Sequence, residues 1–325
     1  MEIGESIAIS IATDWDDNKC LFKETHQKDC STEDEGIPND DRKGVLNAQA
    51  NNGGTLGENL TKKSNGSEGT WEGTPSPPPE CKATPANDSH RKNGEEKVDY
   101  WMYVSVPGTA TIPEGDYPFT VAAHHLIPGN ASLYTGKCDL VNYMTKGKTV
   151  TANNKSWKIK HNIGYNVNGA HNGVWLPGNY AIRKPASPTG ETWGKMGNED
   201  WQLNYVAACC KEVKGQFHDA HGDYNGAVLR VLNKIAAKLQ AHQCTCDDCR
   251  KKGVTEVPPP YAIKERLYAL SGYFRTAVTL PPAAWRAPFF TSDRWSEIIF
   301  GDSTKPSKVF VKAWKKSSCT VINNV

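Results

Sequence analysis

Long apolar runs are missing from this chain. Only 38% of its 325 residues are hydrophobic and its mean hydropathy is −0.61. No stretch approaches the roughly 18–20 apolar residues that cross a bilayer, so no membrane insertion is expected. The first residues read as a poor secretory signal. The start, MEIGESIAISIATDWDDNK, places Glu2 and Glu5 early and has no basic segment ahead of an apolar one. A protein of this kind that leaves its cell does so by a route that does not read such a signal. No repeat of fixed period is present, which argues against a solenoid or propeller. A surplus of one charge is also missing, since the formal net charge is +2. The ten cysteines are spread at irregular spacing. That pattern fits free thiols or a metal site in a reducing compartment better than a disulfide scaffold.

The near-zero charge conceals a division. Residues 1–97 hold 11 Lys+Arg and 19 Asp+Glu, a net −8, whereas residues 98–325 hold 27 and 17, a net +10. An acidic leader on a basic body is an asymmetry that accompanies polyanion partners. Residues Ile7 to Ile11 alternate apolar with small or polar side chains and predict one short strand. Between Asn51 and Glu95 the only large apolar residues are Leu56, Leu60 and Trp71, and Pro77, Pro78 and Pro79 fall in the same stretch. So little apolar surface does not offset ordering entropy, which predicts a disordered or loosely draped linker.

Order resumes near Val98. VDYWMYVSV (98–106) reads as a strand, and YPFTVAAHHLIP (117–128) as a second extended segment. Gly136 to Lys160 carries six Lys and one Asp, and reads as a solvated face or loop. HNIGYNVNGAHNGVWLP (161–177) is a Gly/Asn turn feeding a short strand, Val174 to Leu176. Two helices follow. Asn198 to Val213 has Trp201, Tyr205, Ala208 and Glu212 on one stripe. Asp223 to Gln240 has Val228, Leu232, Ile235 and Leu239 on another, with Asp223 as its N-cap. Beyond Pro258-Pro259-Pro260, Tyr261–Thr276 reads as a helix burying Leu267, Leu270 and Phe274. WRAPFFTSDRW (285–295) reads as core and loop, and Ser307 to Val325 mixes strand formers with lysines.

The chemistry lies in the histidines. Four of the nine form two tight clusters, His124-His125 and His218-Asp219-Ala220-His221. Neutral imidazoles bind transition metals well. Phosphodiester hydrolysis at one metal ion needs two or three ligands that leave a coordination position open, and a separate base to deprotonate water. His124 and His125 leave an extended chain on opposite sides, so one can face a metal and the other the attacking water. His218 and His221 are three apart, and a helical or turn-like stretch puts both on one face.

AHHLIP, NGVWLP, and His218-x-x-His221 followed by Tyr224 and a helix occur in that order. Together they resemble the AHH family, nucleases of the HNH/endonuclease VII type with the ββα-metal (His-Me finger) fold, found as toxin domains in bacterial polymorphic toxin systems. The resemblance covers about Tyr117 to Gln240. It implies an α+β fold: a ββα-metal core with added helices behind a long, largely unstructured N-terminal leader. His124 would be a metal ligand, His125 the general base, and His218 and His221 the source of the remaining ligand or ligands. Asn172 would tie the two strand segments together and help place His125. One divalent ion is implied (Mg, Mn, Ni or Zn). So are a nucleic-acid substrate, DNA ahead of RNA, a cognate immunity protein and a secretion-system partner. The protein would be made in the bacterial cytoplasm and delivered into a target cell. The expected organisation is an acidic leader over 1–97, dispensable for cutting, a nuclease domain over 98–243, and an extension of unassigned role over 244–325.

His242-x-Cys244-x-Cys246-x-x-Cys249 offers four soft ligands that can close a second, structural zinc site. The alternative is a helix-end loop with free or bonded thiols. Lys146, Lys148, Lys155, Lys158 and Lys160, and the tail lysines Lys305, Lys308, Lys312, Lys315 and Lys316, are candidates to track a phosphate backbone. His161 and His171 read as satisfied or exposed imidazoles, with His171 a candidate phosphate contact. No helix reads as a groove reader, so little sequence specificity is expected. The rival reading is a non-enzymatic, zinc-stabilised module that binds nucleic acid or protein.

Overall fold

A computed structural model describes residues 2–16, 20–22, 44–48, 53–64, 102–110, 112–134, 136–152, 155–178, 199–242, 253–301, 303 and 305–316. The elements in chain order are α1 (Ile3–Ala12), β1 (Val45–Leu46), α2 (Gly53–Ser64), β2 (Met102–Val106), β3 (Gly115–His125), α3 (Leu140–Met144), β4 (Thr149–Ala152), β5 (Lys155–Ile159), β6 (Tyr165–Asn166) and β7 (Gly173–Gly178). They continue with α4 (Glu199–Val213), α5 (Gly222–Ala241), β8 (Glu256–Val257), α6 (Ile263–Thr279), α7 (Asp293–Phe300) and α8 (Lys308–Lys316). Helix and small sheets mix, as an α+β fold requires. The chain divides into two compact units, each drawn from three separated stretches. One comprises Met1–Asn52, His125–Asn172 and Asn225–Phe274; the other comprises Gly53–His124, Gly173–Tyr224 and Arg275–Val325.

In the first unit, α1 lies along α5. The buried Glu5 carboxylate accepts a hydrogen bond from Arg230 Nε at 2.7 Å, and Lys238 Nζ donates to Thr13 Oγ1 at 2.9 Å. The predicted strand at Ile7 to Ile11 is therefore corrected to a helix. Glu5, Ala8, Ile9 and Ala12 all turn inward, a 3–4 spacing that outweighs five residues of alternation. β4 and β5 form an antiparallel hairpin and β8 adds in parallel beside β5. Trp157 and Ile159 point into the core from β5 while Lys155 and Lys158 point out. The lysine-rich stretch is thus a solvated face, as expected, with Lys155 and Lys158 carried on β5 and the other lysines in the segments flanking α3 and the hairpin. β1 pairs in parallel with β6. On α5 the stripe Val228, Leu232, Ile235 and Leu239 is buried, as are Leu267, Leu270 and Phe274 on α6.

The second unit is built on the sheet β2-β3-β7. β2 and β3 are antiparallel, running from Met102 opposite Phe119 to Val106 opposite Gly115. Tyr117, Phe119 and Val121 alternate inward along β3. Helix α4 packs on β2 and β7, with Trp201 edge-on to Tyr117 at 4.7 Å. Its expected stripe broadens, because Leu203, Val206, Cys209 and Cys210 are buried beside Trp201, Tyr205 and Ala208. Helix α2 covers β7. A Cβ on Gly57 would stand 3.0 Å from the Trp175 ring, so glycine permits that close approach. The linker expected from Asn51 is accordingly corrected over Gly53–Ser64, where Leu56 and Leu60, one turn apart, are buried. The rest of the 65–101 stretch lies outside the described residues.

Of the Ser307 to Val325 stretch, read as strand formers mixed with lysines, Lys308–Lys316 is helical and residues 317–325 lie outside the described residues. α8 buries Phe310 and Ala313, and Phe310 lies 6.1 Å from Trp285. Docking of one apolar face overrides the β-propensity of Val309 and Val311. WRAPFFTSDRW contributes core through Trp285, Phe289 and Trp295 and opens α7, where Ser292 Oγ accepts from Trp295 N at 3.2 Å.

Leu56→Ala should lower the unfolding free energy by about 2–5 kcal/mol in chemical denaturation, as expected for a fully buried leucine. A change within about 0.5 kcal/mol, the range of an exposed site, would mean that α2 is not part of the folded body.

Candidate metal centre

β3 runs eleven residues to His125, and the division between the two units falls between His124 and His125. In the second unit, His124 is buried, with only 2% of its surface exposed. Its ring lies 5.1 Å from that of His218, 5.0 Å from His221 and 5.0 Å from Tyr224; His218 and His221 are 4.9 Å apart. One ligand nitrogen from each of the three histidines lies within 4.8 Å of the other two. Sequence spacing and structure thus bring these three together.

His218 and His221 do not sit on a helix. They occupy the irregular loop before α5, and that loop is held by hydrogen bonds at both ends. His218 N donates to Pro177 O at 2.7 Å, beside the bridge to Gly178 at the end of β7. Asp219 N donates to Thr291 O at 3.0 Å and Asp293 N to Ala220 O at 2.8 Å. Upstream, buried Gln216 donates from Nε2 to Phe289 O and accepts from Thr291 N at 2.9 Å. Downstream, the Asp293 carboxylate accepts from Gly222 N at 2.8 Å and Asp223 N at 3.3 Å. A carboxylate there satisfies free N–H groups and faces the positive end of the helix dipole. Asp223 is therefore not the N-cap: the helix already starts at Gly222, and a residue 70 positions further on in the chain fills that role. Sequence reasoning missed Gln216, Thr291 and Asp293, because no local pattern links 216–223 to 289–293.

The donor set is chemically specific. His221 Nδ1 lies 2.6 Å from Asp219 O. A carbonyl only accepts, so Nδ1 carries the proton and Nε2 keeps the lone pair for a ligand bond, the usual outer support of a metal-binding histidine. The cluster has three imidazoles and no carboxylate among the described residues. That set fits a first-row transition ion such as zinc or nickel better than magnesium, which prefers oxygen.

In the first unit, His125 is buried, and its Nε2 lies 2.9 Å from Asn168 Oδ1. The amide oxygen accepts, so Nε2 holds the proton and Nδ1 of the neutral ring is free of one. Burial pushes the His125 pKa below its usual 6.5, partly opposed by the Asn168 hydrogen bond. Near pH 7 the ring is therefore neutral. Asn168 was not singled out from the sequence, although with Gly169 it forms an Asn-Gly pair of its own four residues before Asn172-Gly173. Asn172 is fully buried. Its Oδ1 accepts from Ile127 N at 2.8 Å, and its Nδ2 donates to Ile127 O and Val167 O, both at 2.9 Å. Its carbonyl accepts from Leu126 N at 2.9 Å, and Ser271 Oγ donates to its Oδ1 at 3.2 Å. It clamps the chain immediately after His125.

Other candidates fall elsewhere. His171 is buried, 4.2 Å from the Tyr268 ring and 5.1 Å from Tyr165; it is a core imidazole and not a surface phosphate contact. His242 is buried edge-on to Trp15. Cys244, Cys246 and Cys249 lie outside the described residues. Lys146, Lys148 and Lys158 are exposed and Lys160 half-buried, on and beside the β4–β5 hairpin of the first unit.

Residues 109–264 match AHH, a nuclease family of the HNH/ENDO VII superfamily with conserved AHH. The match shows the resemblance read from AHHLIP, NGVWLP and His218-x-x-His221 and extends it at both ends. Nuclease activity is the coarse function that this family assigns. No curated protein and no solved structure matches the chain.

Zinc or nickel added at about 100 times its Kd should stabilise the protein by about 2.7 kcal/mol against heat. His124→Ala should abolish that gain, and replacement of the exposed His161 should leave it intact. Equal stabilisation of wild type and His124→Ala would place the ion elsewhere. Asn172→Ala strands several buried backbone groups, and should cost about 3 kcal/mol or more in denaturant unfolding; a loss below 1 kcal/mol would mean that water replaces the amide.

Proposed function

We propose that the protein is a metal-dependent, largely sequence-non-specific endonuclease of the ββα-metal type, acting on DNA ahead of RNA, in which β3 brings His124 to His218 and His221. The observation that carries this reading is the triad His124, His218 and His221 next in the chain to a buried, neutral His125. His124, His218 and His221 would hold one divalent ion, zinc or nickel by donor chemistry, with manganese and magnesium less favoured. Bound there, the ion would neutralise charge on the scissile phosphate and the leaving 3′ oxygen. His125 Nδ1 takes the proton of the attacking water while Asn168 holds Nε2–H and fixes the tautomer. Water adds to phosphorus, the P–O3′ bond breaks, the leaving 3′ oxygen takes a proton from solvent water, and His125 returns its proton to solvent. Asn172, through Ile127, keeps the chain after His125 from drifting. Lys146, Lys148, Lys158 and Lys160 supply backbone phosphate contacts without base readout.

We further infer a toxin effector, made in the bacterial cytoplasm and delivered to a target cell with a cognate immunity protein at home, a reading that rests on the motif resemblance alone. No helix among the described residues is long and apolar enough to cross a membrane. The catalytic body takes in the segment through Asp293, because the loop bearing His218 and His221 hangs on it.

The test is cleavage of plasmid DNA and of RNA with Mg²⁺, Mn²⁺, Ni²⁺ or Zn²⁺, against EDTA. His125→Ala should reduce cutting by about 10²–10⁴-fold, the usual worth of a general base. Wild-type rates in that variant would remove His125 from the mechanism, and no cutting with any metal would remove the nuclease reading.

A further inference from the structure

One exposed surface takes no part in the proposed catalytic mechanism: the outward face of α8, whose lysines the sequence offers only as general phosphate contacts. Lys308, Lys312 and Lys315 follow one another at four and three residues, so they share one side of the helix. At 1.5 Å per residue they cover about 10 Å of its axis. Lys305 and Lys316 flank them, and all five are exposed. From Ser303 to Val325 the sequence has no Asp or Glu, and none of the five ammonium groups has an ion-pair partner among the described residues. The lysines near the C-terminal end of α8 suit its dipole, but Lys305 and Lys308 stand at the opposite end and gain nothing there.

Two occupants of different chemistry fit a basic helix: a nucleic-acid backbone and an anionic membrane. The packing decides between them. A membrane-lying helix needs its apolar face free to enter the lipid. On α8 that face is already committed, with Phe310 and Ala313 buried and Trp285 close to both Phe310 and Trp314. Only Val309 and Val311 remain outward as large apolar groups. What α8 offers to solvent is a row of positive points spaced by a few ångströms, against a duplex carrying one charge per about 1.7 Å of axis.

We infer that α8 is a backbone-docking helix for double-stranded nucleic acid, which holds substrate on the same unit that carries the histidine triad. α8 packs on α4, and α4 packs on β2 and β7 of the sheet that ends at His124, so substrate held by α8 is held to that sheet. Nothing on this face reads bases; it contributes affinity and salt sensitivity alone. The inference takes its choice of partner from the nuclease reading, but binding is measured without cutting, so the two fail separately.

The experiment uses the full chain in EDTA and a labelled 30-bp duplex, followed by fluorescence anisotropy across a salt series. Lys308→Gln/Lys312→Gln/Lys315→Gln alters exposed side chains only, and its melting temperature is checked against wild type. The expected result is an affinity at least about tenfold weaker at ~0.1 M salt, with the slope of log K against log salt flattened by up to about 2.7 for three charges. The matching triple arginine variant should retain binding and slope. Affinity and slope within twofold of wild type in the glutamine variant overturn the inference. So does wild-type binding to phosphatidylglycerol vesicles, lost in the glutamine variant, with duplex binding unchanged. If no metal supports cutting but the binding loss is as expected, the docking role stands and the nuclease reading falls.

Discussion

Three imidazoles can share an ion only if an irregular loop is held still against the end of a strand. In this protein the loop is 216–223, and everything at the metal centre depends on how it is fixed. Backbone hydrogen bonds to Pro177 and Thr291, the buried Gln216 amide and the Asp293 carboxylate on Gly222 N do that work. His124 needs less help, because β3 places it by strand geometry. His218 and His221 come from a stretch without a regular ladder of its own, so their positions are set by partners far along the chain.

That constraint changes the meaning of the C-terminal segment. Read as sequence, residues 244–325 follow the histidine motifs and look appended. In the structure, Thr291 and Asp293 reach back to the loop, and Trp285, Phe289 and Trp295 are buried. Asp293 also neutralises the N-terminus of α5. A carboxylate two turns of chain closer would show as a local capping pattern; one supplied 70 residues later does not. Gln216 and Thr291 satisfy each other here, the buried amide oxygen accepting from Thr291 N and Oγ1, which favours a single arrangement of the two segments.

The two histidines of the pair meet different surroundings. His124 lies among rings, with His218, His221 and Tyr224 each about 5 Å away by centroid. His125 meets an amide oxygen and a low-dielectric environment that favours its neutral form. One residue step on a strand is enough to give the two rings these different surroundings, since neighbouring side chains leave on opposite faces. Asn172 adds a different kind of order: with both ends of its amide on Ile127, it fastens main chain to main chain.

Much of this was legible in the residues. The long periodic helices α4, α5 and α6, the strand ending at Val106, an extended segment carrying His124 and His125 (read on to Pro128, where β3 stops at His125), and the grouping of His124, His218 and His221 follow from local periodicity and from motif order. Short or polar segments were not legible. Ile7 to Ile11 alternates over too few residues to tell a strand from a helix, and α1 exists because Glu5, Ala8, Ile9 and Ala12 meet α5. Leu56 and Leu60 stand alone in polar sequence, and only β7 beneath them makes α2 worth ordering. Val309 and Val311 favour strand until Phe310 finds Trp285. Asn168 became a partner of His125 only when a turn brought it round. Sequence alone determined which imidazoles are on offer for ligand and base roles, because side-chain types are written residue by residue. Tertiary structure decided which main-chain and side-chain groups hold that chemistry in place, because hydrogen bonds between residues 43 to 75 positions apart leave no trace in local pattern.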